Sequence, residues 1–347
     1  MASRPSTMRA WQKHFGSTKP ELVEVRVPSA PTDGLLVKVL AAGVCHSDVA
    51  LLAAEPRPPT WPNEAYTLGH EGCGEVVEVG SSVNDFKVGD IVAILSVAGC
   101  VKPTCPECSR GLTQLCQSGE RYGIGYDGSY APYVAIKEWS AVKLPAGVSV
   151  EEGAVATDAC MTAFHALETG QIEKGETVMI VGIGGLGFNA VQIALSLGVR
   201  VIARDKRQEV LDEAVRFGVE KKDIIPVEQS IVDFVKDKRL VVDTIIDFAG
   251  TPETFSASQE AVRIGGKIVQ VGLLGPELAI NNILSVRKQL SILCSYGGTM
   301  DNLKECLSLI ASGKLRPQVV KGDLQDLPRV LEELHAGRVK SRIALVP

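Results

Sequence analysis

The sequence predicts an α/β protein in two parts, a β-rich portion followed by a doubly wound parallel sheet. Two observations carry this. Over roughly the first 150 residues, the β-branched runs "LLVKVLAAGV", "GEVVEVG", "GDIVAIL" and "YVAI" are separated by Gly, Pro and Asp, a spacing that suggests a small barrel or sandwich. After "KLPAGVSVEEGA", strand-like apolar runs alternate with segments of helical periodicity, the pattern of βαβ units. A chain of 347 residues accommodates two such domains.

The elements follow in order. "VGSSVNDFKVGD" reads as a turn-rich connection between two early strands. "EEGAVATDACMTAFHALE" has the apolar spacing of one helix. Then come "TVMIVGIG" as strand, "LGFNAVQIALSLG" as helix, "RVIARD" as strand and "RQEVLDEAVRFG" as helix, and "VDTIIDFAG", "FSASQEAVRIGG" and "KIVQVGL" continue the alternation. The last stretch returns to mixed character, with helices in "MDNLKECLSLIASG" and "LQDLPRVLEELHAG" and a closing strand "SRIALVP". There is no internal repeat and no low-complexity segment.

Composition narrows the function classes. Hydrophobic residues at 45% and charged residues at 22% are those of an ordinary soluble protein. A net charge of -5 offers no basic field for a phosphate backbone, so nucleic acid is not an expected partner. No run approaches the roughly 20 apolar residues of a membrane helix. "MASRPSTMRAWQKH" lacks the apolar core of a signal peptide, so a cytoplasmic protein is expected. Nine cysteines in that compartment disfavour disulfides, and the clustering of Cys100, Cys105, Cys108 and Cys116 points to metal.

"TVMIVGIGGLGFNAVQIA" holds Gly182, Gly184 and Gly187 in a G-x-G-x-x-G frame. With 34 glycines the frame alone is weak, but here it follows an apolar strand and opens a helix. Glycines there allow a tight turn and close approach of a pyrophosphate, which free N–H groups at the helix start then bind. Asp205 in "RVIARDK" lies 18 residues after Gly187, where an acid meets ribose hydroxyls and repels a 2'-phosphate. That favours NAD. Arg204, Lys206 and Arg207 are the opposing signal, since they suit a phosphate and NADP; a solvated charge cluster is the plainer explanation of them.

"GCVKPTCPECSRGLTQLC" gives C-x4-C-x2-C-x7-C, a thiolate set that closes a tetrahedral structural zinc site. A second set is scattered: Cys45 in "AGVCHSD" and His70 in "TLGHEGCGEVVEVG". Singly each is an ordinary buried side chain; together a thiolate and an imidazole on Gly-flanked segments suit a catalytic zinc with an open position. The third ligand is not evident from the residues alone. "ATDACMTAF" offers both Asp158 and Cys160.

"GVCHSD", "GHEGCGEVVEVG", the four-cysteine run, "DGSYAPYV" and "VGIGGLG", in that order along nearly the whole chain, resemble the zinc-dependent medium-chain alcohol dehydrogenases. The resemblance implies a GroES-like catalytic domain at 1–155 with a zinc lobe at about 99–117, a Rossmann NAD(P)-binding domain at 156–295, and a return to the catalytic domain at 296–347. It implies two zinc ions, hydride transfer between NAD(H) and an alcohol, aldehyde or ketone, and a homodimer or homotetramer.

By the same resemblance Cys45 and His70 are catalytic-zinc ligands, Glu71 is the acid beside the metal, Asp48 orients the histidine, and Ser47 takes the substrate proton. His46 and Arg342 are expected at the pyrophosphate, and Gly185, Leu186, Lys206 and Val271 join the glycines and Asp205 along the cofactor. Relatives place the third ligand four residues before the threonine of a "T-(A/V)-(F/Y)-x-A-L" run. Here the run is "TAFHAL" from Thr162, so the ligand falls on Asp158 and Cys160 becomes a buried thiol. One thiolate plus one carboxylate neutralise Zn2+ as two thiolates do. There are two departures. Ala50 stands where some relatives have the histidine that ends a proton relay, and the first gap of the cysteine run is x4 where x2 is usual, which bears on Cys100. Trp61 in "LLAAEPRPPTWPNEAY" is a candidate pocket wall. Alternatives are a reductase of polarised C=C or C=N bonds on the same scaffold, against which Ser47 argues, and a non-catalytic zinc-stabilised binding protein.

Overall fold

A computed structural model describes residues 4–339 and 341–347. It divides into two compact units, one of residues up to Asp158 with Gly298–Ser312 and Pro317–Pro347, the other of Ala159–Gly297 with Gly313–Arg316. In chain order the first unit contains β1 (Thr7–His14), β2 (Glu21–Arg26), β3 (Gly34–Val44), α1 (His46–Ala53), β4 (Ala65–Thr67), β5 (Glu71–Val79), β6 (Ile91–Leu95), β7 (Tyr133–Lys137), β8 (Ala141–Lys143) and α2 (Val150–Val155). The second unit follows with α3 (Met161–Thr169), β9 (Thr177–Val181), α4 (Gly187–Ser196), β10 (Arg200–Arg204), α5 (Gln208–Arg216), α6 (Ile231–Asp237), β11 (Thr244–Asp247), α7 (Pro252–Ala261), β12 (Lys267–Gln270), α8 (Asn282–Lys288) and β13 (Ser291–Cys294). The chain then returns to the first unit with α9 (Met300–Ala311), β14 (Val319–Asp323), α10 (Leu327–His335) and β15 (Arg342–Val346).

The first unit has a small antiparallel sheet, β2-β1-β4, and a larger one in the order β14-β15-β3-β5-β6-β8, with β7 also paired to β3. β3 is buried along almost its whole length, because strands flank it and side chains pack on both of its faces. Leu35, Val37, Val76, Ile94 and Ile136 form the centre of this core. Charged side chains lie inside as well, Lys13 among them. Lys13 of β1 is fully buried and donates to the carbonyls of Ser17 (2.6 Å) and Leu52 (2.7 Å) and to Glu55 Oε1 (3.0 Å). A buried ammonium is tolerable only when its donors are so used. Its charge also sits at the carbonyl end of α1, where a cation stabilises a helix.

The second unit is a parallel sheet in the order β10-β9-β11-β12-β13. Met179, Ile202, Ile245, Ile268, Phe234 and Phe255 pack beneath the strands. The order reverses direction at β9, the switch point at which open α/β sheets bind ligands beyond the carboxyl ends of their strands. The expected Rossmann alternation is present.

Two details differ from the sequence expectation. "EEGAVATDACMTAFHALE" is not one helix: α2 and α3 are joined by a π-helical turn, Ala156–Cys160. The apolar period survives this insertion, which is why the break is invisible in the pattern. β13, "SILC", was not expected as a strand. It lies at the sheet edge with Ser291 and Cys294 exposed, so it lacks the continuous apolar run of its neighbours.

Candidate active site

Three adjacent strand ends build the site in the first unit. β15 pairs with β3, Ala344 opposite Gly43, and β3 with β5, Gly43 opposite Glu71, which brings Arg342 at the start of β15 to the Glu71 carboxylate. The glycine is needed: a Cβ at position 43 would come 2.0 Å from Glu71 Oε2. Cys45 follows β3 as the N-cap of α1, and His70 immediately precedes β5. Asp158 enters from the π-helical turn, a rare element common at functional sites.

The ligand atoms of Cys45, His70, Glu71 and Asp158 all lie within 4.8 Å of one another. The Cys45 thiol donates to Asp158 Oδ2 at 3.2 Å and lies 3.6 Å from Ser47 Oγ. Tetrahedral zinc with bonds of about 2.0–2.3 Å spaces its ligand atoms by about 3.3–3.8 Å, so these residues fit the ion. Cys160, two residues beyond Asp158, is fully buried and is not one of the converging groups.

His70 is aimed by Asp48. The Asp48 carboxylate is fully buried and lies 3.1 Å from His70 Nδ1, which leaves Nε2 for a metal. Asp48 also accepts from the Cys45 N–H at 3.0 Å and the Tyr130 hydroxyl at 2.7 Å. Burial alone would raise this carboxyl, but the imidazole and these two donors hold it below its ordinary value. Burial would likewise lower the imidazole; the Asp48 charge outweighs it and holds His70 well above its usual range.

Two of these links are not readable from sequence spacing. Tyr130, in "DGSYAPYV", is the hydroxyl behind Asp48. Arg342 forms an ion pair with Glu71 and reaches Asp158 Oδ2 at 3.2 Å, so in the first unit it neutralises acids beside the ligand cluster. The hint available in sequence was charge balance: Cys45, Glu71 and Asp158 bring more negative charge than one divalent ion cancels. Glu71 Oε2 is buried with no hydrogen-bond partner among the described residues, an atom poised toward a cation. His46 and Ser47 are exposed on the first turn of α1. Trp61 packs edge-on to Tyr66 at 5.4 Å and against Phe15 at 6.0 Å.

The four lobe cysteines also converge, their sulfurs within 4.8 Å of one another. Cys100 and Cys108 sulfurs are 3.8 Å apart and those of Cys105 and Cys116 3.7 Å. Zinc–sulfur bonds of about 2.3 Å space tetrahedral thiolates by about 3.8 Å. The extra residues of the x4 gap are taken up by a bend in which Val101 has φ 48°. Burial opposes ionisation of Cys116, yet the N–H groups of Ser118 and Cys100 bring its thiol below the ordinary value, which favours the thiolate a metal needs.

In the second unit the glycine turn follows β9 and opens α4. Gly182 has φ 82°, and a Cβ on Gly187 would fall 2.0 Å from the Gly182 carbonyl, while one on Gly184 would meet nothing within 4 Å. The turn is therefore packed tightly against its strand, with open space at Gly184 where a phosphate would approach. Gly185 and Leu186 complete the turn, with Leu186 the N-cap. Asp205 is buried and accepts from the Ile183 N–H at 2.7 Å, and Arg207 Nε pairs with it at 3.0 Å. Arg204 is committed to the carbonyls of Asp205, Pro226 and Val227. Lys206 is exposed, and the Val271 N–H donates to the Asp247 carbonyl at 3.0 Å.

Known proteins bear the same features. Residues 31–146 match the alcohol dehydrogenase GroES-like domain and residues 185–312 the zinc-binding dehydrogenase domain. An alcohol dehydrogenase of Geobacillus stearothermophilus is 33% identical over 94% of this chain and 95% of its own length. An NAD-dependent alcohol dehydrogenase of Sulfurisphaera tokodaii is 30% identical over 94% of this chain and 96% of its own. The solved acetophenone reductase of Geotrichum candidum, in complex with NAD, superposes with a TM-score of 0.88 at 30% identity, covering 100% of this chain and 99% of that one. On ligand geometry, domain matches and near full-length identity together, the chain belongs to the zinc-dependent medium-chain alcohol dehydrogenase family.

Proposed function

We propose that the chain is an alcohol dehydrogenase or carbonyl reductase that uses NAD(H), with a catalytic zinc on Cys45, His70 and Asp158 and a structural zinc on Cys100, Cys105, Cys108 and Cys116. The observation that carries it is the convergence of a thiol, an oriented imidazole and a carboxylate, with the Glu71 carboxylate beside them. When bound, the zinc supplies Lewis acidity to that oxygen and the nicotinamide exchanges the hydride.

The chain's own residues do the rest. Cys45 and Asp158 would hold the ion with two negative charges, which would balance its own. Asp48, backed by Tyr130, fixes the ring and tautomer of His70. Ser47 takes the substrate proton, and with Ala50 offering no base that proton passes from the exposed Ser47 to solvent. Arg342 pairs with Glu71 and Asp158 and so offsets the cluster's surplus of negative charge. Asp205 favours NAD, since Arg204 is tied to carbonyls and Arg207 is paired with Asp205 itself.

A cytoplasmic homo-oligomer is the companion proposal. No helix among the described residues is long and apolar enough to cross a membrane. β13 is an uncovered edge, α8 beside it has no buried residue, and Leu273, Leu274, Ile283 and Val286 are exposed around them. A screen of primary and secondary alcohols, aldehydes, ketones and enones with NADH and NADPH, on protein of measured zinc content, tests the reading. Reduction of enones but of no carbonyl would overturn it.

A further inference from the structure

Asp247 takes no part in the site described above. It ends β11, is fully buried, and has no cation paired with it among the described residues. Its Oδ1 accepts from the N–H groups of Ala249 and Gly250, both at 2.9 Å, and its Oδ2 from the Thr254 hydroxyl at 2.6 Å. Its main-chain oxygen accepts from Val271 at 3.0 Å and Gly272 at 2.9 Å. One residue thus joins the turn after β11 to the turn after β12.

Both turns stand at carboxyl ends of parallel strands beside the glycine turn. A Cβ on Gly182 would come 2.9 Å from Ala249 N, and one on Gly250 2.0 Å from the Gly272 carbonyl. The spacing of three backbones is therefore fixed to a fraction of an ångström. Thr254 also trades capping hydrogen bonds with Thr251, so the same carboxylate sets where α7 begins. A buried carboxylate is costly, and an apolar side chain would fill the space without that cost. Burial raises this carboxyl, and its three donors pull against that rise.

We propose that Asp247 is a positioning residue for the dinucleotide: its carboxylate holds the 248–254 backbone, and its main-chain oxygen ties that turn to Val271 and Gly272, in the shape that receives the cofactor. The proposal rests on the NAD(H) reading above. Without the carboxylate, two N–H groups and a hydroxyl lose their acceptor, the 248–254 turn relaxes, and cofactor affinity falls while the zinc ligands are untouched.

NADH titrations followed by fluorescence, with steady-state kinetics and metal analysis, test this. Asp247→Ala is expected to weaken NADH binding by about tenfold or more. Its kcat at saturating NADH and its zinc content should stay near those of the unaltered chain. Asp247→Asn keeps an oxygen for the two N–H groups and should recover most of the affinity. Thr254→Val should lose several-fold and Thr254→Ser almost nothing. A folded Asp247→Ala protein that melts lower but binds NADH as tightly as the unaltered chain would show a structural role alone. If Asp247→Ala does not fold, equal affinity of Thr254→Val and Thr254→Ser overturns the assignment. Failure of the unaltered chain to bind NADH would instead remove the cofactor reading itself.

Discussion

The two clusters of candidate metal ligands are assembled in opposite ways. The cysteine lobe draws all its sulfurs from the single segment Cys100–Cys116, and they pair with one another, Cys105 also donating to Glu107 Oε2 at 3.1 Å. The second cluster collects Cys45, His70, Glu71 and Asp158 from a helix cap, two strand ends and a π-helical turn. Its members are tied to groups outside it: His70 to Asp48, which Tyr130 backs, and Glu71 and Asp158 to Arg342. A local, homogeneous set closes a shell and stiffens a loop. A dispersed, heterogeneous set leaves a position open and lets the surrounding sheet tune it.

That contrast can be broken most sharply at Asp158. Asp158→Ala leaves one thiolate and one imidazole against a divalent ion, so turnover should fall by about a thousandfold or more and one zinc per chain should be lost. Asp158→Cys restores charge and ligand number and should hold more zinc than alanine does. Full activity in Asp158→Ala, with Cys160→Ala dead and metal-free, would transfer the ligand to the thiol. Asp48→Asn keeps the shape behind His70 but removes a charge; about 10–100-fold loss in catalytic-metal affinity is expected, measured by competition with a chelator.

The lobe should respond in the other currency. Cys105→Ser opens the closed shell, and a loss of several kcal/mol should lower the melting temperature by about 10 °C, with turnover per folded molecule kept. Graded chelation of the unaltered chain should abolish activity at concentrations that leave its melting temperature unchanged; simultaneous loss of both would erase the distinction between the clusters. The smallest effect belongs to Cys160→Ala, about 1 kcal/mol of packing with zinc and rate retained.

The same contrast explains what the sequence disclosed. Four cysteines in one loop announce themselves by spacing, and so does a glycine frame between a strand and a helix. Cys45, His70 and Asp158 carry no spacing signal, because strand pairing rather than chain proximity brings them together; Cys45 and His70 were readable as a pair on Gly-flanked segments, and Asp158 only through likeness to a family. Arg342 was assigned to the cofactor by that likeness, but its bonds to Glu71 and Asp158 depend on β15 lying beside β3, a register no local pattern encodes. Tyr130 and Asp247 escaped for a related reason. Each is a single polar side chain whose partners are backbone groups or acids distant in sequence or hidden by folding.

The π-helical turn at Ala156–Cys160 carries an evolutionary and experimental consequence. Such a turn is an α-helix that has gained one residue, so excising one residue, for instance Ala159, would let α2 and α3 fuse into an unbroken helix. Each residue of an α-helix advances the side chains by about 100° around its axis, so the healed helix would present different neighbours to the Cys45–His70 pair although every ligand-type residue is still present. A one-codon deletion would therefore separate composition from geometry: a chain with an intact inventory of ligands, normal helical content and a catalytic metal site that no longer closes.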